Sequence, residues 1–426
     1  MKDNIMNIIS FKNINFNEIY EKDNTERNIG YSIFKNVLLT GRNIFYPNIL
    51  LYSDNNLLSP YDEKIMSLNK DSFYDDNKYD LKVPNNEDKD IVIIEIPLFF
   101  FIYNFDNYYH FLYDTLPYLF TYLELKKNIP KLKLLINYPN KDKKDFYKFN
   151  IELLEKIIDL NDMIIYNENN LYKEIYVSTS LTHGGYSNNI PRKEIYEIYN
   201  IIKNNINYDN IDKKYINLSK NYISRRTWIN NDNSNIGTDY TSRRKMINED
   251  EFVDKLTQYY GFNEIFAENL NIDEKIYLFS YSDIIIGSIG GGMANLLFSN
   301  NKTKSIVITT PFFLDINYRF KYSMEHTDIK YIYDVNTYLE NNQIPLYCRV
   351  KIIDNNSKYF EKYGEICQYN KDTNKYLVNI SNNDVAGFNN NINFDNEWFL
   401  EHEFKLLDNG LNSPYFVNIN KVLELL

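Results

Sequence analysis

The chain has 426 residues, 44% hydrophobic and 25% charged, a balance normal for soluble globular proteins and long enough for two domains of ordinary size. Its net charge of −11, with no dense run of Lys or Arg, argues against nucleic-acid binding through the phosphate backbone. Only Cys348 and Cys367 are cysteines, which excludes a disulfide framework, and the four scattered histidines lack zinc-ligand spacing.

The opening "MKDNIMNIISFKNINF" has no basic segment followed by a clean apolar stretch, so no secretory signal is expected. Residues 1–90 read as short strands with turns, as at 36–54, ending in a polar stretch at 74–90. "IVIIEIPLFFFIY" (91–103) is the most apolar run; it holds Glu95 and Pro97, is too short to span a bilayer, and reads as a buried strand. A helix is expected from about Asn107, then strands at 131–138 and 174–180 with a helix over 144–159 between them. Such alternation implies a parallel sheet. A helix at 192–205 runs into polar residues 206–212, where the boundary between domains 1–208 and 209–426 is expected.

The second half alternates again: a strand within 214–226, a helix from Asn248 to Gly261, a strand at 262–267, a helix at 272–282 and the strand "DIIIGS" (283–288). A short helix from Gly292 and a strand at 304–311 follow, and 415–426 reads as a closing helix. The Asn-rich stretch between Ser381 and Asn396 favours no element. The expected fold class is α/β. With no targeting or transmembrane segment, the expected location is the cytoplasm.

Three strings carry candidate chemistry. In "SDIIIGSIGGGMANLLF" (282–298), three glycines stand where a strand meets a helix. Backbone N–H groups at such a place can hold a phosphate, and missing side chains let it approach. The same glycines also suit a tight turn that lets the helix pack, and the two readings stay open at this point. The P-loop and G-x-G-x-x-G patterns are both absent. Upstream, Arg225 and Arg226 end an apolar strand, and guanidinium groups match diphosphate geometry. In "NEDE", Asn248 and Glu251 suit a capping box, which leaves Glu249 for a ribose hydroxyl. In "NYYHFLYDTLPYL" (107–119), His110 and Asp114 lie one helical turn apart, on a polar stripe with Asn107 and Thr121. An imidazole oriented by a carboxylate can take a proton from a hydroxyl; a helix-start ion pair is the plainer alternative.

Together and in this order, the strings resemble glycosyltransferase family 61. "HFLYDTLP" (110–117) matches its "HFxxDxxP". Ser224-Arg225, then Arg244 through Asn248-Glu249, match "SR…R-x-x-x-N-E". Gly287 through "GGGMANLLF" matches its glycine loop. The resemblance covers about residues 91–335 and implies a GT-B-like architecture, two Rossmann-like domains facing across a cleft. It further implies an inverting, metal-independent transfer from a nucleotide sugar to a glycan or protein hydroxyl, with no cofactor. By that analogy Arg225, Arg226, Arg244, Glu249, Ser288, Gly290, Gly291, Gly292 and Asn295 form the donor side, with His110 and Asp114 opposite. The family histidine of the loop is Ile289 here. That departure keeps a second reading open: a degenerate nucleotide- or sugar-binding protein without catalysis. A D-x-D metal motif is not expected to act, since Asp88-Lys89-Asp90 lies at the wrong end of its strand.

Overall fold

The computed structural model describes residues 7–8, 30–40, 50–53, 56–58, 92–103, 105–139, 144–167, 169–178, 181–182, 192–226, 246, 248–309, 327–332, 335–336, 344, 348–381, 395–408 and 415–426. Two sheets flanked by helices and a third, antiparallel sheet make up its larger parts.

The first sheet grows around Asn170–Ser178. On one side Leu98–Phe100, Lys133–Ile136 and Met163–Ile165 follow in turn, all parallel. On the other, Gly30–Thr40 pairs antiparallel with it, followed by Leu50–Ser53 and Asn56–Leu58. The sheet is therefore mixed, where strand–helix alternation alone implies a parallel one. The run 91–103 also departs from expectation. It breaks into Val92–Ile94 and Leu98–Phe100 around Pro97, which has no N–H to give to a ladder. Leu98, Phe99 and Phe100 are fully buried, whereas Val92 and Ile93 are 55% and 49% exposed.

The second sheet has five parallel strands in the order Asn263–Ile265, Lys220–Ile223, Ile284–Ser288, Lys304–Ile308, Asp328–Ile332. The chain leaves Lys220–Ile223 on one side through the helix Glu249–Tyr260. It then returns through the helix Ile272–Tyr281 to build the other side. Strand order thus reverses between Lys220–Ile223 and Ile284–Ser288. A reversal of this kind opens a crevice beyond the carboxyl ends of those two strands, the usual ligand position in such sheets.

Side-chain alternation along the strands divides two cores. Tyr222, Ile286 and Ile306 join Phe252 and Leu256 of the helix Glu249–Tyr260. Ile223, Ile285 and Val307 join a second cluster that continues unbroken into the first sheet, reaching Phe99 and Tyr199. The ring of Tyr199 meets that of Phe298 edge-on at 6.2 Å. The two α/β halves are therefore joined by shared core.

At the expected boundary the chain makes two 3-10 turns, Tyr208–Asn210 and Lys213–Tyr215. Asp273 pins this connection. Its carboxylate accepts from the Asn207 N–H at 2.9 Å, Asn210 Nδ2 at 2.9 Å and Lys156 Nζ at 2.6 Å. Both charged side chains of the pair are almost wholly buried.

Strands from Arg349–Ile352 to Phe404–Asp408 form the antiparallel sheet, around a core of its own that includes Val350, Ile366, Val378 and Phe399. This unit was not anticipated within an α/β half. After it the chain returns: Phe416–Val417 pairs with Val335–Asn336, and the short helix Ile419–Leu423 closes the second core with Tyr415 and Val422. Among the described residues, no helix is long and apolar enough to cross a membrane.

Candidate active site

Ile223 is paired with Gly287, so Ser224–Arg226 and Ile289–Gly292 leave the sheet side by side at the point of reversal. The glycines there lack side chains for different reasons. Gly290 has φ +154°, a backbone that L residues rarely adopt. A Cβ on Gly287 would stand 2.6 Å from Met293 Sδ, and one on Gly292 would stand 3.0 Å from Ile223 Cγ2. Gly291 alone among the three consecutive glycines has neither restriction, since a Cβ there would meet nothing within 4 Å and its φ is ordinary. The expected helix is a 3-10 turn, Met293–Phe298, buried throughout. Any anion held here would therefore meet the turn's N–H groups rather than the dipole of a long helix. Ile289 N–H is spent on Ile308 O and Ala294 N–H on Gly290 O. The N–H groups of Gly291, Gly292 and Met293 have no acceptor among the described residues.

The "SR…NE" residues build the neighbouring wall. Glu249 is 6% exposed, and its Oε1 accepts from Tyr222 Oη at 2.8 Å, the Arg225 N–H at 2.9 Å and Ser224 Oγ at 3.3 Å. It ties the end of the strand Lys220–Ile223 to the start of the helix Glu249–Tyr260, where a carboxylate is also favoured by the helix N-terminus. The carboxylate expected to await a ribose thus carries a structural load. Asn248 does not cap the helix, and the expected capping box is absent. Its side chain instead accepts from the Val417 N–H at 3.0 Å and donates to Val417 O at 2.9 Å. Glu251 pairs with Lys255 on the surface.

Arg226 is likewise committed. Its guanidinium makes two bonds to Glu264, at 2.8 and 2.6 Å, and a third to Asp250 at 2.8 Å. Arg225, partly exposed, lies two residues beyond the strand end, where Glu249 holds its backbone N–H. Ser288 is nearly buried and its Oγ accepts from Tyr415 Oη at 2.6 Å. Arg244 lies outside the described residues.

On the other side of the site, Asn107 caps the turn Tyr108–His110 by accepting from the His110 N–H. Expected as one amphipathic helix, the segment winds as a π-turn over Phe111–Thr115, a 3-10 turn over Leu116–Tyr118 and an α-helix over Leu119–Asn128. Pro117 lacks the N–H that a continuous α-helix would need there. Residues 111–122 are buried on all sides, so no wet stripe exists, and Thr121 accepts from Ser178 Oγ in the core. His110 and Asp114 nonetheless meet: Nδ1 and Oδ2 are 2.6 Å apart, with the histidine side chain 20% exposed and the carboxylate fully buried. Donation of Nδ1–H to the carboxylate puts the lone pair on Nε2.

Two residues that the sequence did not single out join the two sides. Tyr108 Oη donates to Asn295 Oδ1, and Asn295 Nδ2 donates to Gly292 O at 2.8 Å. Lys275, in the first turn of its helix, places its ammonium 4.9 Å from the centre of the Tyr108 ring; burial pushes its pKa down to about 8. No sequence signal marks the Tyr108–Asn295 pair, because its members stand 187 residues apart. Among the described residues, no three His, Cys, Asp or Glu side chains gather as metal ligands would.

Ile289 is 3% exposed and packs in the shared core. Its side chain therefore lies beneath the turn, away from any ligand above it. Ile289→His is expected to bury an imidazole without a partner and lower stability by ~1–3 kcal/mol, with no gain in affinity for nucleoside diphosphates. Thermal melts and calorimetric titration check this. Tighter diphosphate binding at an unchanged melting temperature would show that the side chain faces the ligand.

No curated protein matches the chain. A family model described as Glycosyltransferase 61 matches residues 108–306, from the Tyr108 turn through the glycine loop and into the strand Lys304–Ile308. The stretch that holds the His110–Asp114 pair, Glu249 and the Gly290–Gly292 turn is thus similar to glycosyltransferase family 61.

Proposed function

We propose that the protein is an inverting, metal-independent glycosyltransferase of GT-B type, which moves a sugar from a nucleotide sugar to a hydroxyl acceptor. The observation that carries this reading is the reversal of strand order. It brings Arg225 and the glycine turn to one sheet edge, and the Tyr108–Asn295 bond ties the His110 helix to that same turn. In this reading the acceptor hydroxyl attacks C1 of the donor sugar as His110 Nε2 takes its proton. The C1–O bond to the diphosphate breaks, and the leaving charge falls on Arg225, Arg244 and the N–H groups of Gly291, Gly292 and Met293. Stabilising a leaving group in this way is commonly the largest single catalytic contribution. The rival reading, a binder without catalysis, rested on Ile289. The burial of that side chain, with His110 and Asp114 still paired, favours the enzyme. That Cys348 and Cys367 do not join in a disulfide accords with a reducing, cytoplasmic setting.

A thermal-shift screen with UDP-, GDP-, ADP- and CMP-sugars identifies the donor, because a ligand of the native state raises the melting temperature. With that donor, Arg225→Ala is expected to weaken diphosphate binding by ~1.5–3 kcal/mol, the size of a hydrogen bond to a charged group. Transfer should survive dialysis against EDTA. Loss of transfer that Mn²⁺ restores would overturn metal independence, and unchanged affinity in a folded Arg225→Ala protein would remove Arg225 from the donor side.

A further inference from the structure

We infer that Tyr108 is a positioning residue that fixes the peptide between Gly292 and Met293, and so sets the anion-facing side of the glycine turn from the acceptor half of the protein. Its anion role rests on the donor reading above.

Three consecutive glycines have the widest backbone freedom a chain can have, so a single conformation must be imposed from outside. Asn295 imposes part of it. Fully buried, it donates through Nδ2 to Gly292 O at 2.8 Å. In a trans peptide the C=O and the following N–H point in opposite directions. Holding Gly292 O against Asn295 therefore turns the Met293 N–H the other way, where no acceptor meets it among the described residues.

An asparagine amide, however, can rotate to exchange its oxygen and nitrogen. Tyr108 decides which end is which. Its hydroxyl donates to Asn295 Oδ1, and burial keeps the phenol far above its ordinary pKa of 10.0, so it remains a donor at any working pH. The ring is held by Phe149 edge-on at 5.3 Å and by the Lys275 ammonium at 4.9 Å. Tyr108 is also two residues from His110, in the turn that Asn107 caps. One rigid piece thereby carries the base on one side and sets the turn on the other.

Two substitutions cut different links. Tyr108→Phe keeps the ring and deletes the donor. Asn295→Asp keeps the acceptor for Tyr108 and deletes the donor to Gly292 O. Amide hydrogen exchange is read over residues 289–296, with 363–381 of the antiparallel sheet as internal control. Binding of UDP, GDP, ADP and CDP is measured on the same proteins. Both variants are expected to speed exchange in 289–296 by about 3- to 10-fold, the size of one net hydrogen bond, and to weaken diphosphate binding by a similar factor. Exchange in 363–381 should not change, and the double variant should be no worse than the weaker single one, since both break the same chain. With a working donor, Tyr108→Phe should raise its KM more than it lowers kcat. Unchanged exchange over 289–296 in Tyr108→Phe, or additive losses in the double variant, would overturn the positioning role. Failure of the wild type to bind any of the four diphosphates would overturn the donor reading, and with it the anion role of Tyr108, even where exchange had established the link to the turn.

Discussion

His110→Ala is expected to lower kcat by ~10²–10⁴, the range for removal of a general base, with melting temperature and diphosphate affinity near wild type. The split between turnover and binding follows from position. The imidazole is partly exposed beside a buried carboxylate, and the glycine turn is held by Ile308, Gly290 O and Asn295. Asp114→Asn should cost less. It leaves the base in place but loosens the tautomer and ring orientation that the carboxylate sets. Steady-state rates with the donor found by the thermal-shift screen decide the matter. Wild-type turnover in folded His110→Ala would move the base elsewhere and reduce the pair to a helix-start contact.

Asp273→Ala is expected to destabilise the protein by ~3–5 kcal/mol, the cost of leaving the charge of a buried ion pair without its partner. Lys156 and Asp273 are 6% and 8% exposed at their side chains, and the carboxylate also holds Asn207 and Asn210 of the connection between the halves. Joint replacement, Lys156→Met with Asp273→Leu, should restore much of the loss, because an apolar pair needs no hydration. Thermal and urea melts of the two variants test this; equal losses in the single and the double variant would assign the effect to the connection rather than the charge. The pH dependence has a definite sign. Burial alone would raise the Asp273 pKa, but bonds from Lys156, Asn210 and Asn207 outweigh it and hold the carboxyl below its ordinary 3.8. Its contribution is therefore complete above pH 3.8 and is lost as pH falls through the folded value.

The second sheet was legible in the sequence because each strand is a short apolar run set off by an amphipathic helix, and its motifs sit where strands end. The crevice beside Arg225 and the glycine turn follows from that alternation once strand order is known. What failed to show depends on distant partners. Arg226 reads like Arg225 until Glu264 arrives on the adjacent strand to take its guanidinium. Asn248 has the spacing of a cap, but Val417, 169 residues on, offers it a donor and an acceptor together. The His110 segment was expected to show one wet face; packing between the first sheet and the helix Ile195–Asn204 leaves it none, as the bond from Tyr199 Oη to Leu112 O at 2.8 Å illustrates. The antiparallel sheet escaped notice because its strands find one another through hairpin register rather than through a helical period.

The return of the chain at Tyr415 has a consequence for biosynthesis. The core of the second sheet is closed by Tyr415, Val417, Ile419 and Val422, and Asn248 and Ser288 are satisfied by Val417 and Tyr415. A ribosome delivers these residues only after the antiparallel sheet, which has a core of its own and can condense first. Until then the nascent second sheet has an unsealed apolar flank beside the future site. The region that matches the family model is thus completed late, by a segment outside the matched span.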